Sequence, residues 1–156
     1  MDALAIFAAN YLWLLSALII GVYFLKQERA VQKKMVIFGI LSLALVYILA
    51  SIAGNLYYDP RPFVVGHFTP LILHDPDNGF PSDHTLITAT VAFFALYYNW
   101  KIALALGAIA ILVGASRVYV GIHHPADIIG SIVIALVATS IAYVILRKFS
   151  DGKATK

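Results

Sequence analysis

The chain has 156 residues, of which 62% are hydrophobic and 12% charged, with a net charge of +3 and no cysteine. Ordinary globular chains carry roughly 45–50% apolar and about 25% charged residues, so this composition belongs to a bilayer rather than to water. The missing cysteines exclude disulfides, thiolate catalysis and cysteine metal sites, and the basic residues are spread as membrane anchors rather than gathered as a nucleic-acid patch.

Five apolar segments follow one another. The first, at about 4–25, lacks the positive leader and cleavage site of a signal peptide and is expected to be a retained span. The second covers about 35–56. Residues 56–84 then form the one long loop, broken by Pro60, Pro62, Pro70, Pro76 and Gly79, and loops of such length are usually functional. The third segment runs from about 85 to 98, the fourth from 102 to 118 and the fifth from 126 to 146. Crossing the hydrocarbon takes about 20 helical residues, which the third reaches only if Pro81–His84 or Asn99–Trp100 join it. A backbone in lipid must satisfy its own hydrogen bonds, so every segment is expected to be helical. The expected fold is an all-α integral membrane bundle of about five transmembrane helices, forming a single domain over residues 1–156.

Charge sets the expected orientation. Lys26, Arg29, Lys33 and Lys34 follow the first span, Lys101 follows the third, and Arg147, Lys148, Lys153 and Lys156 follow the fifth. By the positive-inside rule these regions are cytoplasmic, placing the N-terminus outside and the C-terminus inside. Glu28 and Asp151 accompany them. On the opposite side lie Arg61 and Arg117, all five histidines (His67, His74, His84, His123 and His124), and Asp59, Asp75, Asp77, Asp83 and Asp127. An active site on the extracytoplasmic face of the cell membrane is therefore expected.

Three clusters carry the chemistry: Asp59-Pro60-Arg61-Pro62-Phe63, Phe80-Pro81-Ser82-Asp83-His84, and Ser116-Arg117 with His123-His124-Pro125-Ala126-Asp127. A guanidinium matches phosphate oxygens and stays charged, so Arg61 and Arg117 with the Ser82 hydroxyl suit three non-bridging oxygens. Pro81-Ser82 reads as a helix start, where an anion is favoured. If a helix begins at His123 or His124, Asp127 can reach back to an imidazole and orient it. One histidine as nucleophile and another as acid complete a phosphoryl-transfer scheme. Each element taken alone has a plainer reading: a snorkelling arginine, a serine N-cap, an interfacial His-His-Pro turn, or a zinc site of His84, His123, His124 and Asp127. Their co-occurrence on one side argues for phosphate chemistry, and two arginines beside the cluster would repel a cation.

At residues 54–130 the chain resembles the type 2 phosphatidic acid phosphatase superfamily. Ser116, Arg117, His123 and Asp127 match its Ser-Arg-x5-His-x3-Asp motif, Pro81-Ser82-Asp83-His84 is similar to Pro-Ser-Gly-His, and Arg61-Pro62 resembles the end of Lys-x6-Arg-Pro. Phe-Pro-Ser-Asp-His-Thr looks most like the bacitracin-resistance-type undecaprenyl pyrophosphate phosphatases. The resemblance implies His123 as nucleophile, Asp127 as its orienter, His84 as general acid, and Arg61, Ser82 and Arg117, with Asp83 in the same motif, around the phosphoryl group. It also implies no metal or other cofactor, and a polyprenyl or glycerophospholipid phosphate as substrate. The expected reaction is undecaprenyl pyrophosphate hydrolysis through a phosphohistidine. The alternatives are a phosphatidylglycerophosphate or phosphatidic acid phosphatase and, from another class, a membrane transporter, which would need polar residues across the spans where only hydroxyls such as Ser42, Thr88 and Ser131 occur. The family's lysine position falls on Gly54, leaving His67 or His74 as substitutes. The superfamily core often has six spans, one more than the five read here.

Overall fold

The computed structural model describes residues 1–154, with side chains for residues 1–148; Lys156 among the expected anchors lies outside the described residues, and the side chains of Asp151 and Lys153 lie outside the described side chains. The chain is built from α1 (Asp2–Leu25), α2 (Arg29–Leu56), α3 (Pro62–Val65), α4 (Asp83–Leu96), α5 (Trp100–Tyr119) and α6 (Pro125–Ala154). Among the described residues no strand forms, as a lipid-embedded backbone requires. α1, α2, α5 and α6 are long and apolar enough to cross a membrane. At about 1.5 Å per residue, the 14 residues of α4 reach only about 21 Å. The third expected span is thus short, and the one-turn helix α3 was not anticipated from the residues.

α4 can be short because it is sheathed. It packs against α5, α6, α1 and α2, and Thr85, Leu86, Thr88, Ala89, Thr90, Ala92 and Ala95 are buried along it. Backbone that stops short of the interface is tolerated at membrane depth when protein surrounds it. Its neighbours instead present Leu4, Leu18, Ile40, Tyr47, Leu104 and Ile111 outward. Lipid tails are as apolar as leucine, so close packing of small residues holds such helices together. Ala135, Ala138 and Ala142 on α6 are fully buried accordingly.

The two ends of the bundle differ. At one end Phe38 stacks on Phe94 with centroids 4.9 Å apart, and Tyr97 stacks on Tyr143 at 4.1 Å, joining α2, α4 and α6. Asn99 caps α5 there, accepting from the backbone N–H groups of Lys101 and Ile102. At the other end lie the N-terminus of α1, the loop between α2 and α4, and the turn between α5 and α6. Tyr119 donates to Asp2 Oδ1 at 3.0 Å, tying α5 to the start of α1.

Candidate active site

The three motif clusters converge at this second end. Pro62 restricts the preceding Arg61 to extended backbone (φ −58°, ψ 149°), so Arg61 sits at the N-cap of α3 with its side chain free to cross the bundle. Arg61 is buried, and its Nε donates to Asp77 Oδ1 at 2.6 Å while Nη1 donates to the Ile122 carbonyl at 2.8 Å. Burial acts to raise the Asp77 carboxyl, but the Arg61 hydrogen bond and charge outweigh it and hold Asp77 below the usual carboxylate range. Arg117, on the last turn of α5, is buried as well and donates from Nη1 to the Ala9 carbonyl of α1 at 3.2 Å. Its Nε has no acceptor among the described residues.

Both guanidinium groups point at one atom. Arg61 Nη1 lies 3.3 Å and Arg117 Nη2 3.5 Å from His123 Nε2, while His123 Nδ1 lies 3.1 Å from Asp127 Oδ2. A carboxylate only accepts and a guanidinium only donates, so Nδ1 carries the hydrogen and Nε2 keeps its lone pair. Burial, joined by the Arg117 and Arg61 charges, holds the His123 imidazole below its ordinary value of 6.5, against the opposing hydrogen bond to Asp127. The result is a neutral imidazole with its basic nitrogen aimed between two fixed cations. Such an arrangement has the chemistry to serve as a nucleophile beside an oxyanion cradle.

Local folding makes this pair. Pro125 opens α6, and Asp127 reaches back to accept the His124 N–H at 2.8 Å, as in a capping box. The same oxygen takes His123 Nδ1. His124 turns the other way, its Nε2 donating to the Pro60 carbonyl at 3.2 Å. Geometry thus separates two neighbouring histidines that residue chemistry alone leaves equivalent.

A cavity of about 920 Å³ opens onto the cluster. Arg61, His74, Asp77, Asp83, His84, Arg117 and His123 line its polar end, and Val46, Tyr47, Ala50, Leu86 and Ile87 form an apolar wall from α2 and α4. His84 enters from the first turn of α4, edge-on to Trp13 of α1 at 6.0 Å between centroids. Asp83 stands exposed at the rim. Ser82 and Asp127 lie behind the wall, both fully buried. Ser82 occupies the N-cap position of α4, yet its hydroxyl pairs with Thr85 Oγ1 at 3.2 Å and caps no backbone N–H. Among the described residues no group of three or more His, Asp or Glu side chains is placed to hold a metal ion.

Of the two candidates for the missing lysine, His74 lines the cavity, its ring 6.5 Å from that of His123, whereas His67 is exposed on the loop. Gly54 lies against the loop: a Cβ there would meet the Phe80 carbonyl oxygen at 3.1 Å. Asn78 holds this approach by donating to the Gly54 carbonyl at 2.9 Å and accepting the Asp59 N–H at 2.9 Å. Residue chemistry missed Asp77 and Asn78, which buttress Arg61 and the loop, and it missed the contributions of Ala9 and Trp13. An acidic and an amide residue in a Pro-rich loop were the only signals, and neither has a register in sequence.

Relatives point the same way. The chain is 34% identical over 154 residues to the undecaprenyl-diphosphatase BcrC of Bacillus subtilis, covering 97% of this chain and 76% of that protein. It is 33% identical over 131 residues to an undecaprenyl-diphosphatase of Sulfolobus acidocaldarius, covering 83% of this chain and 61% of that one. The crystal structure of Aquifex aeolicus LpxE shares the fold, with a TM-score of 0.71 at 24% identity over 92% of this chain and 87% of that chain. Residues 36–151 match the family model of the PAP2 superfamily, and this multi-pass membrane chain, with its histidine–aspartate pair between two buried arginines, belongs to that superfamily.

Proposed function

We propose that the chain is a lipid phosphatase that hydrolyses undecaprenyl pyrophosphate to undecaprenyl phosphate. The observation that carries this reading is His123 Nε2, unprotonated and flanked by Arg61 and Arg117 at the foot of a cavity with an apolar wall. Nε2 attacks the terminal phosphorus while Asp127 stabilises the imidazolium that forms. Burial and the Arg117 charge hold the His84 imidazole down to about 4, and the negative phosphate brings it a proton on binding. The bond to the leaving lipid phosphate breaks as His84 supplies that proton, and water then hydrolyses the phosphohistidine, returning a proton to His84. Arg61 and Arg117 hold the charge of the non-bridging oxygens, with Arg117 Nε as a spare donor. The N–H groups opening α4 close the cradle, and Ser82, fully buried and paired with Thr85 behind the wall, steadies that helix start without reaching the phosphate, while the Asp83 carboxylate stays at the rim. His74 takes the place of the absent lysine. The charged moieties supply the electrostatics, so the reaction proceeds without a metal. The name of the Bacillus subtilis relative supports the choice of lipid, and the distribution of basic residues supports an extracytoplasmic site with the C-terminus in the cytoplasm.

Phosphate release by the purified chain, with chelator present, tests the proposal on undecaprenyl pyrophosphate, phosphatidylglycerophosphate and phosphatidic acid. Turnover is expected on the first lipid, surviving chelation and lost in His123→Ala. A His123→Ala protein with near-normal release, or turnover confined to a glycerophospholipid, would refute it. In the same assay His74→Ala should raise KM about tenfold and His74→Lys should restore it; an unchanged KM removes His74 from the cradle.

A further inference from the structure

The buried carboxylate that orients His123 is itself only half satisfied. Asp127 is fully buried, and its Oδ2 accepts both His123 Nδ1 and the His124 N–H. Its Oδ1 receives no N–H or hydroxyl donor among the described residues. A buried acceptor without a donor costs about 1–3 kcal/mol, so a donor is to be sought nearby. The neighbouring acidic residue is Asp59: its backbone carbonyl and Asp127 Oδ2 flank the same point at Gly79, each 3.1 Å from a Cβ placed there, its Oδ1 lies 3.9 Å from His124 Nε2, and the two carboxyls act on one another. Two carboxylates so placed cannot both be ionised cheaply.

The surroundings decide which one keeps the charge. Asp127 has two donors on Oδ2. Asp59 has none of comparable quality: the closest basic atom, His124 Nε2, is 3.9 Å from its Oδ1 and already donates to Pro60. Arg61, two residues on, is turned to Asp77, Ile122 and His123. From the loop, Asn78 and Gly79 meet only the Asp59 backbone, and a Cβ at Gly79 would come within 3.1 Å of both Asp127 Oδ2 and the Asp59 carbonyl. Burial first, then the Asp127 charge, push the Asp59 carboxyl upward, with His124 opposing.

We propose that Asp59 is a positioning residue that carries a proton in the working enzyme and donates it to Asp127 Oδ1, holding Oδ2 on His123. The proposal rests on His123 as nucleophile, and an active His123→Ala protein would remove that foundation separately. The full chain in detergent, assayed on undecaprenyl pyrophosphate across the pH range, tests it. Asp59→Asn presents an amide N–H to Oδ1 and is expected to keep kcat within about threefold, with its plateau extended to higher pH because no proton can be lost. Asp59→Ala leaves Oδ1 bare and is expected to lose at least about tenfold in kcat with KM little changed. An Asp59→Asn protein as impaired as Asp59→Ala would mean that a charge, not a donor, is required, and a fully active Asp59→Ala protein would mean that nothing is; either overturns the proposal. If Asp59→Ala fails to fold, Asp59→Asn alone decides, by its kcat and its alkaline limb.

Discussion

At the residue scale the proposed chemistry turns on the protonation of His123. In the proposed mechanism its imidazole must be neutral at Nε2 to attack phosphorus, and burial with two arginines depresses its affinity for a proton. In the unfolded chain the group titrates near 6.5; in the fold it does so lower. The acid limb of kcat/KM assigned to His123 is therefore expected below pH 6.5, with a flat profile through neutrality, as a pH–rate series reads directly. A limb at or above 6.5 would contradict the depressed value. Stability moves with the same proton. Below pH 6.5 the unfolded chain binds it first, so folding weakens from there down to the folded-state value and is unaffected by this group above. Much of this pair was legible, because Asp127 lies four residues after His123 and one helical turn brings them together. The long-range partners were not: Arg61 meets Asp77 across a loop, and Arg117 meets Ala9 across the bundle.

Among the elements, α4 and α6 show how the motif loop is held against the bundle. A Cβ at Gly130 of α6 would come within 2.2 Å of the Phe80 ring, whose edge also meets Tyr57 at 5.0 Å between centroids. Phe80 immediately precedes Pro81 and Ser82, so this contact seats the start of α4. Gly130→Ala is expected to destabilise by about 1–3 kcal/mol through overpacking and to lower phosphate release. Gly107 on α5 has nothing within 4 Å, so Gly107→Ala should be neutral or up to about 1 kcal/mol stabilising from helix propensity alone. Thermal unfolding of the two variants checks the contrast, and equal effects would show that packing at Gly130 is slack. The spans themselves were readable from their apolar runs. The length of α4 and the single turn of α3 depended on neighbours, since sheathing by four helices permits a helix too short to cross unaided.

For the molecule as a whole, the proposed orientation fixes on which side of the membrane the lipid is cleaved. The chain has no native cysteine, so single cysteines report cleanly. His67→Cys, in the exposed loop near the site, should react with a membrane-impermeant maleimide added outside intact cells. Gln27→Cys, in the turn between α1 and α2, should react only after permeabilisation. The reverse pattern would place the site in the cytoplasm and end the proposed topology. Apolar runs, charge asymmetry and the spacing from His123 to Asp127 are local properties, each decided within a few turns of chain, and so the membrane class, the helices and the hydrolase class could be read along the residues. The tilt of Arg61 onto Nε2, the turning away of His124, the placing of His74 rather than His67 in the cavity, the meeting of Asp59 with Asp127, and the tie of Arg117 to Ala9, 108 residues away, arise between separate segments. No one-dimensional pattern encodes such meetings, because they exist only once the packed helices fix where each loop returns.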